Sequence, residues 1–201
     1  RDRGIENLET DTLHVENKID AGSSVSYTMK GPMAVRQISL RVSPSIDPQS
    51  LRTTIIEMIF DGNATVWCPL GDFFNTGYQL RSSNTWYSSV TTGGSLDCWW
   101  VMPYKNSCEI RIHNLGGSEV EFQGMQVITS PWQWDRNSMY FGASWRQYTG
   151  LNTGEMKDNE GNGGPFDINY VELTGKGVYV GDAITLRSEE RRVGKECRSR
   201  W

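Results

Sequence analysis

Residues 51–60 read Leu-Arg-Thr-Thr-Ile-Ile-Glu-Met-Ile-Phe and run straight into Asp61-Gly62-Asn63, then on to Trp67-Cys68-Pro69-Leu70-Gly71-Asp72-Phe73-Phe74. In the first ten, Ile56, Met58 and Phe60 alternate with Ile55 and Ile59. A strand apolar on both faces belongs in the middle of a sheet. Asp-Gly directly after it signals a hairpin, because glycine accepts the positive φ of a tight primed turn. Pro69 and Gly71 then break the pairing. The chain continues irregularly to Tyr104, carrying Phe73, Phe74, Tyr78, Trp86, Tyr87 and the doublet Trp99-Trp100. Long loops rich in aromatics and glycine are commonly functional. The plainer reading is that these rings plug one end of a β-sandwich.

Short alternating runs recur on both sides of this stretch. Residues 25–29 predict one strand, and Ile38, Leu40 and Val42 alternate with Gln37, Ser39 and Arg41 in another. Downstream, Cys108, Ile110 and Ile112 alternate with Glu109, Arg111 and His113, which makes His113 a solvated histidine on a polar face. Val120, Phe122, Met125 and Val127 follow, with Gly124 as a bulge. Residues 6–20 form a polar lead-in with one short strand. Residues 129–137 predict a Trp-containing loop, 140–146 a further strand and 150–165 a mobile loop. Residues 170–173 and 177–181 predict a last hairpin around Thr174-Gly175-Lys176. No amphipathic helix longer than two turns is visible. Strands so spaced indicate an all-β sandwich or jelly roll.

A chain of 201 residues is long enough to bury a sizeable core in one domain. Its 21 glycines and 11% aromatics suit a turn-rich β protein. The net charge of −4 points to neither nucleic acid nor a membrane surface as partner. No apolar run reaches the roughly 18 residues of a transmembrane helix. The chain begins at Arg1 rather than Met, so a signal peptide upstream stays open; export to the periplasm or outside would follow from one, a cytoplasmic location from its absence. Cys68, Cys98, Cys108 and Cys197 form no Cys-x-x-Cys pair, and only His14 and His113 could join them. Neither a metal nor another cofactor is therefore expected. Cys68 and Cys98 flank the aromatic stretch, and spacing alone does not decide whether they pair.

The last fifteen residues, 187–201, break from everything before them. They hold six of the 20 basic and three of the 24 acidic residues, which leaves 14 and 21 and a net charge of about −7 for the rest. The string Arg-Ser-Glu-Glu-Arg-Arg-Val-Gly-Lys-Glu-Cys resembles the translation of a common short-read sequencing adapter. It is expected to be an artefact without ordered structure, so it is set aside from fold and function, and Cys197 with it.

Five segments together resemble one family. Gly31-Pro32-Met33-Ala34-Val35-Arg36-Gln37-Ile38 is similar to its "GPG-x-I-R-R-I" strand. Pro69-Leu70-Gly71-Asp72-Phe73-Phe74 matches its "PLGDFF" without a change. Cys98-Trp99-Trp100-Val101-Met102-Pro103-Tyr104 is similar to "C-Y-W-x-MPF", Tyr140-Phe141-Gly142-Ala143-Ser144-Trp145-Arg146 to "YFHAQWR", and Gly175-Lys176-Gly177-Val178-Tyr179-Val180-Gly181 to "GxGHYVG". The family is glycoside hydrolase family 172, which includes difructose dianhydride I synthase/hydrolase (an α-D-fructofuranosidase) and exo-acting D-arabinofuranosidases. The resemblance spans residues 8–186 and its motifs keep their order.

It implies a double jelly roll, of which this chain holds the first roll (1–130) and a linker with the start of the second (131–186). It implies a homo-oligomer, trimer or hexamer, that binds its carbohydrate substrate near subunit contacts. It also implies a retaining mechanism with two glutamates about 5 Å apart. In the family these follow "GxGHYVG", in "WWGEGE" and "GTGTEDY" stretches, which do not occur here; no catalytic residue is therefore assigned. Gly142 and Val178 stand where the family has histidine, which removes any sugar contact those histidines make. The candidates for sugar contact are Asp72, Asp97, Trp99, Trp100 and Trp145: carboxylates accept from adjacent hydroxyls, and indoles pack on the apolar face of a furanose. Asp72 reads equally well as a turn cap, and Phe73, Trp99 and Met102 as core. Glu57, Glu109 and Glu121 sit within strands rather than at a mouth. The competing function is a non-catalytic jelly-roll module, either carbohydrate-binding or a unit of a structural assembly.

Overall fold

The computed structural model describes residues 11–149 and 171–185; the predicted loop at 150–165 and the tail at 187–201 lie outside them. Two sheets face each other. The first contains β1 (Asp11–Ile19), β3 (Met33–Val42), β6 (Ser83–Asn84), β7 (Ser88–Val90), β8 (Ser95–Cys98), β9 (Met102–Tyr104) and β11 (Val120–Pro131). Its order is β1-β11-β3-β8-β7-β6, with β9 beside β8 on the same edge of β3. The second runs β12-β5-β4-β10-β2, from β12 (Ala143–Ser144) through β5 (Asn63–Pro69), β4 (Thr54–Phe60) and β10 (Ser107–Asn114) to β2 (Ser24–Lys30). Every pairing is antiparallel except β12 on β5. The chain is an all-β sandwich.

Period-two alternation explains the core. β10 alternates strictly, with Cys108, Ile110 and Ile112 turned inward. Opposite them stand Ile38, Leu40 and Val42 of β3 and Leu96 and Cys98 of β8, all buried. β4 lies between β5 and β10, the central place its two apolar faces predict. β4 and β5 are joined by Asp61-Gly62, both at positive φ (49° and 84°), the signature of a two-residue primed turn. Gly124, at φ 151°, marks the register shift in β11, as expected.

Four expectations are corrected. Residues 51–53 are helical, not strand: α1 (Pro48–Thr53) starts where Asp47 accepts from the Gln49 N–H at 3.3 Å and Pro48 stands in the first turn, so β4 begins only at Thr54. The lead-in strand is nine residues long and pairs with β11 along its length. Of 140–146 only Ala143–Ser144 enters a ladder. Residues 171–181 form no hairpin strands, only a bend at Gly175-Lys176, with Leu173, Val178 and Val180 exposed. Two short strands that join no sheet among the described residues are marginal in water, which explains the failure of that alternation to act.

Candidate functional site

The "PLGDFF" segment makes one tight helical turn, α2 (Leu70–Phe73), after Pro69. Its oxygen at Gly71 accepts from the Thr76 and Gly77 N–H groups at 2.8 and 2.9 Å, which draws the following loop across it. A Cβ on Gly71 would overlap the Gly77 carbonyl, so only glycine fits there. The turn presents Asp72 beside α1. Asp72 is 14% exposed; Oδ2 lies 3.6 Å from Arg52 Nη1, and Oδ1 accepts from the Thr185 hydroxyl at 3.2 Å. Arg52 also donates to Gln147 Oε1 at 3.0 Å, and its guanidinium lies 5.3 Å from the centre of the Trp145 ring.

These groups line an open cleft of about 2320 Å³. An aromatic platform lines it as well. Tyr87 stacks on Trp100 with centroids 4.2 Å apart and planes 15° apart, and Phe141 leans on Trp100 at 5.7 Å. Residues 173–185 close part of the opening, with Gly181 against the Trp100 ring, where a Cβ would sit 3.5 Å away. Gly142 also lines the cleft, and a Cβ there would meet only ordinary contacts with Thr65. The position has room for a Cβ.

The five sugar-contact candidates therefore divide. Asp72, Trp100 and Trp145 meet in the cleft; Asp97 and Trp99 do not line it. Asp97 is on β8, pairing with Ser39, and faces away from the core. Its oxygens accept from Ser39 Oγ at 2.6 Å and Ser95 Oγ at 3.0 Å. Trp99 follows the buried Cys98, and its N–H continues the ladder to the Tyr87 oxygen at 2.8 Å. Met102 and Phe73 are buried, as their core reading predicts. The residues not singled out from sequence are Arg52 and Gln147, which hold Asp72 and Trp145 together. The only sequence signal for Arg52 is the Asp47-Pro48 helix start.

His113 is not solvated. Its side chain is 19% exposed, with Nε2 2.9 Å from Glu57 Oε2 and its ring 5.1 Å from that of Trp67. Cross-strand pairing sets Glu57 opposite both Trp67 and Arg111, two pairs along the ladder from His113 and on the same face, and that neighbourhood covers the imidazole. The cysteines are buried and free. Cys68 and Cys98 lie in opposite sheets and do not pair. Burial, then the Asp72 charge, pushes the Cys68 thiol up to about 11, which keeps it inert in the cleft wall. Among the described residues no group of three His, Cys, Asp or Glu side chains is placed to hold a metal.

Comparison with known proteins gives one domain family, described as GH172 domain-like, whose profile matches residues 9–127. No curated protein matches the chain. Among solved structures, it is similar to the serine protease of Aeromonas sobria, alone and in complex with the chaperone ORF2. Each shows 12% identity and a TM-score of 0.30, over 61% of this chain and 26% of the other. The infectious bursal disease virus Gx strain structure shows 12% identity and a TM-score of 0.25, over 62% of this chain and 32% of the other. The chain thus spans about a quarter to a third of these structures, and likeness at this level says nothing about activity.

Proposed function

We propose that this chain binds furanoside sugars in its cleft, and the premise is that it belongs to the GH172 domain-like family, which relates it to the glycoside hydrolases. One observation carries the reading: the Asp72–Arg52 pair and the Tyr87–Trp100 stack line the same opening, with Trp145 beside the pair. A furanose has an apolar ring face and a rim of hydroxyls, so it needs an aromatic surface and fixed charged acceptors and donors at one site. Asp72 is held by Arg52 and Thr185, a state suited to accepting hydroxyl hydrogen bonds rather than to attacking an anomeric carbon.

Retaining hydrolysis needs two carboxyl groups about 5 Å apart. The carboxylates among the described cleft residues are Asp47, Asp72 and Asp182, and none stands in a family catalytic motif. On this reading the chain is the binding part of an α-D-fructofuranoside- or D-arabinofuranoside-directed retaining hydrolase, whose catalytic glutamates lie outside its 201 residues. The whole enzyme is a homo-oligomer, a trimer or hexamer, built on two jelly rolls.

Titration with methyl α-D-arabinofuranoside and with difructose dianhydride I, read by indole fluorescence, tests the binding. Saturable quenching is expected, and Trp100→Ala should weaken it at least tenfold, about 1.4 kcal/mol. Binding equally strong in Trp100→Ala would defeat the site. Incubation with an aryl α-D-arabinofuranoside should give no turnover; turnover by residues 1–201 would defeat the assignment of the glutamates elsewhere.

A further inference from the structure

Of the strands that end the two sheets, all but one are blunted. β6 and β12 are two residues long, and β9, beside β8, is three. β1 carries Asp11, Glu16 and Lys18, and its register on β11 shifts between Val15 and Asn17. Short length, charge and irregular pairing are the devices that keep an edge from templating another strand. β2 lacks them. It reads Ser-Val-Ser-Tyr-Thr-Met-Lys, without proline and with its one charge at the last position, and its seven residues pair with β10 without a shift.

The ladder on β10 fixes what the open edge presents. The Gly31 N–H donates to the Asn106 carbonyl at 2.8 Å, and the Asn114 N–H to the Ser23 carbonyl at 2.9 Å. Both bonds fall on odd-numbered residues of this run. Val25, Tyr27 and Met29 therefore turn their backbone groups toward β10, and Ser24, Ser26, Thr28 and Lys30 turn theirs away. Among the described residues no strand stands on that outer side. The side chains alternate as well: Val25, Tyr27 and Met29 are half-buried against the core, and the other four are exposed. An added strand would extend both the ladder and the core.

The strand is complementary to itself. A two-fold axis at Tyr27 sets Ser24 opposite Lys30 and Ser26 opposite Thr28, and it overlaps the strand along its whole length. Outward-turned residues then meet outward-turned residues, as a hydrogen-bonded ladder requires, and the two Tyr27 residues form a non-hydrogen-bonded pair, the closer kind. Charge selects this register over its neighbours. Glu109 lies beside Thr28, and Arg111 beside Ser26. With the axis at Tyr27, a row across the joined sheet runs from Arg111 through Ser26 and the second copy's Thr28 to its Glu109, opposite charges roughly 14 Å apart across three strand spacings. An axis at Ser26 would end its central row in two arginines, an axis at Thr28 in two glutamates, and either would overlap only residues 24–28 or 26–30. Such charge rows fix register more than affinity. A foreign strand meets no charge on β2 before Lys30 that would select it, whereas a second copy arrives with matching hydroxyls, apolar residues and rows.

We infer that β2 is a homodimerisation edge: two copies of the chain join by antiparallel β2–β2 pairing about a two-fold axis at Tyr27, which turns two five-stranded sheets into one continuous sheet. No residue of β2 lines the cleft, and the inference does not rest on the cleft's assignment.

Light scattering after size exclusion, over a hundredfold range of concentration, should show the whole chain passing from monomer to dimer. Hydrogen exchange gives the signature. The Ser24, Ser26, Thr28 and Lys30 amides should exchange at least tenfold more slowly in the dimer than in the monomer, while Val25, Tyr27 and Met29 are equally protected in both. Ser26→Pro removes one outward N–H and spares the β10 ladder; Thr28→Lys sets a cation against the second copy's Arg111. Each should weaken dimerisation at least tenfold with an unchanged far-UV spectrum. Oxidative cross-linking in a Cys197→Ser background reads the register: Ser26→Cys mixed with Thr28→Cys should give covalent dimers, and neither should alone. A chain monomeric throughout overturns the interface, and so does an oligomer of any size whose outward amides exchange as fast as the monomer's. Slow outward exchange already in the monomer would mean that the chain's own residues cover the edge, which overturns it too. Cross-linking of either cysteine variant with itself overturns the register. The exchange measurement on the unaltered chain decides the matter where a variant fails to fold.

Discussion

The two walls of the cleft are built on different principles. One wall rises from the sandwich, where β4, β5 and β10 form continuous ladders and Met58, Phe60, Val66 and Ile110 are buried between the sheets. The other is residues 171–185, which have no ladder and leave Leu173 67%, Val178 75% and Ile184 61% exposed. Two contacts that tie that second wall to the first are Thr185 on Asp72 and Gly181 against Trp100. On the proposed reading, the stable wall carries the side chains that recognise, and the second wall decides how open the site is. Elements with few buried contacts sit at the low-stability end of a fold and are the ones able to move around a ligand.

The largest expected effect breaks the stable wall. Gly71→Ala places a methyl on the Gly77 carbonyl, and the backbone of α2 has to move. A loss on the order of 3 kcal/mol is expected by analogy with overpacked cores. Thermal unfolding should show it as a single shifted transition. An unchanged midpoint would mean that the 71–77 loop is not packed as described.

Next comes the turn that joins β4 and β5. The Asp61 carboxylate accepts from the Lys105, Asn106 and Ser107 N–H groups at 2.8, 2.6 and 2.8 Å and from the Tyr140 hydroxyl at 2.8 Å. Burial pushes its carboxyl up, but these four donors outweigh it and hold it below the ordinary aspartate value. A depressed pKa gives stability that is full above the unfolded value, near 4, and is lost as pH falls through the folded one. Asp61→Asn keeps the positive φ accessible and removes the charge, so it should cost about 2 kcal/mol at pH 7 and flatten the loss of stability below pH 4. Urea unfolding at pH 7 and pH 3 checks this; equal losses from Asp61→Asn at both pH values would refute it.

The smallest effect sharpens the contrast from the other side. Thr185→Val removes the hydroxyl on Asp72 and should change global stability by less than about 0.5 kcal/mol, as for surface substitutions. Hydrogen exchange should nevertheless speed up in residues 171–185 and not in β4 or β10. Faster exchange spread evenly over both walls would show that they are one cooperative unit.

Much of the sandwich was legible because its signals are local. Alternation in Cys108, Ile110 and Ile112 needs only the pleat and an apolar interior, and Asp61-Gly62 needs only glycine's tolerance of positive φ. Gly124 was legible for the same reason. The start of α1 was in the sequence as Asp47-Pro48 before a leucine, but the apolar run that follows masked it. Residues 171–181 show the limit: their alternation is as regular as that of β2, yet among the described residues no strand lies alongside to complete the hydrogen bonds.

The residue types of the candidate site could be read from the sequence; their grouping could not. Aromatics and aspartates in glycine-rich loops mark Asp72, Asp97, Trp99, Trp100 and Trp145 alike. Which of them share a site depends on strand parity and on the loops that α2 and β12 bring together. Asp97 falls on the outer face because its neighbours Leu96 and Cys98 point into the core, whereas Asp72 and Trp145 meet through Arg52, 20 residues from one and 93 from the other in sequence. Sequence by itself determined the alternation, the turns and the chemistry on offer, since those follow from each residue and its nearest neighbours. Tertiary structure alone decided the company each side chain keeps: Arg36 on Ser130 and Trp132, His113 on a carboxylate, and three of the five candidate site residues in one cleft. Those outcomes depend on pairing register and sheet packing, which join residues that the chain itself holds far apart.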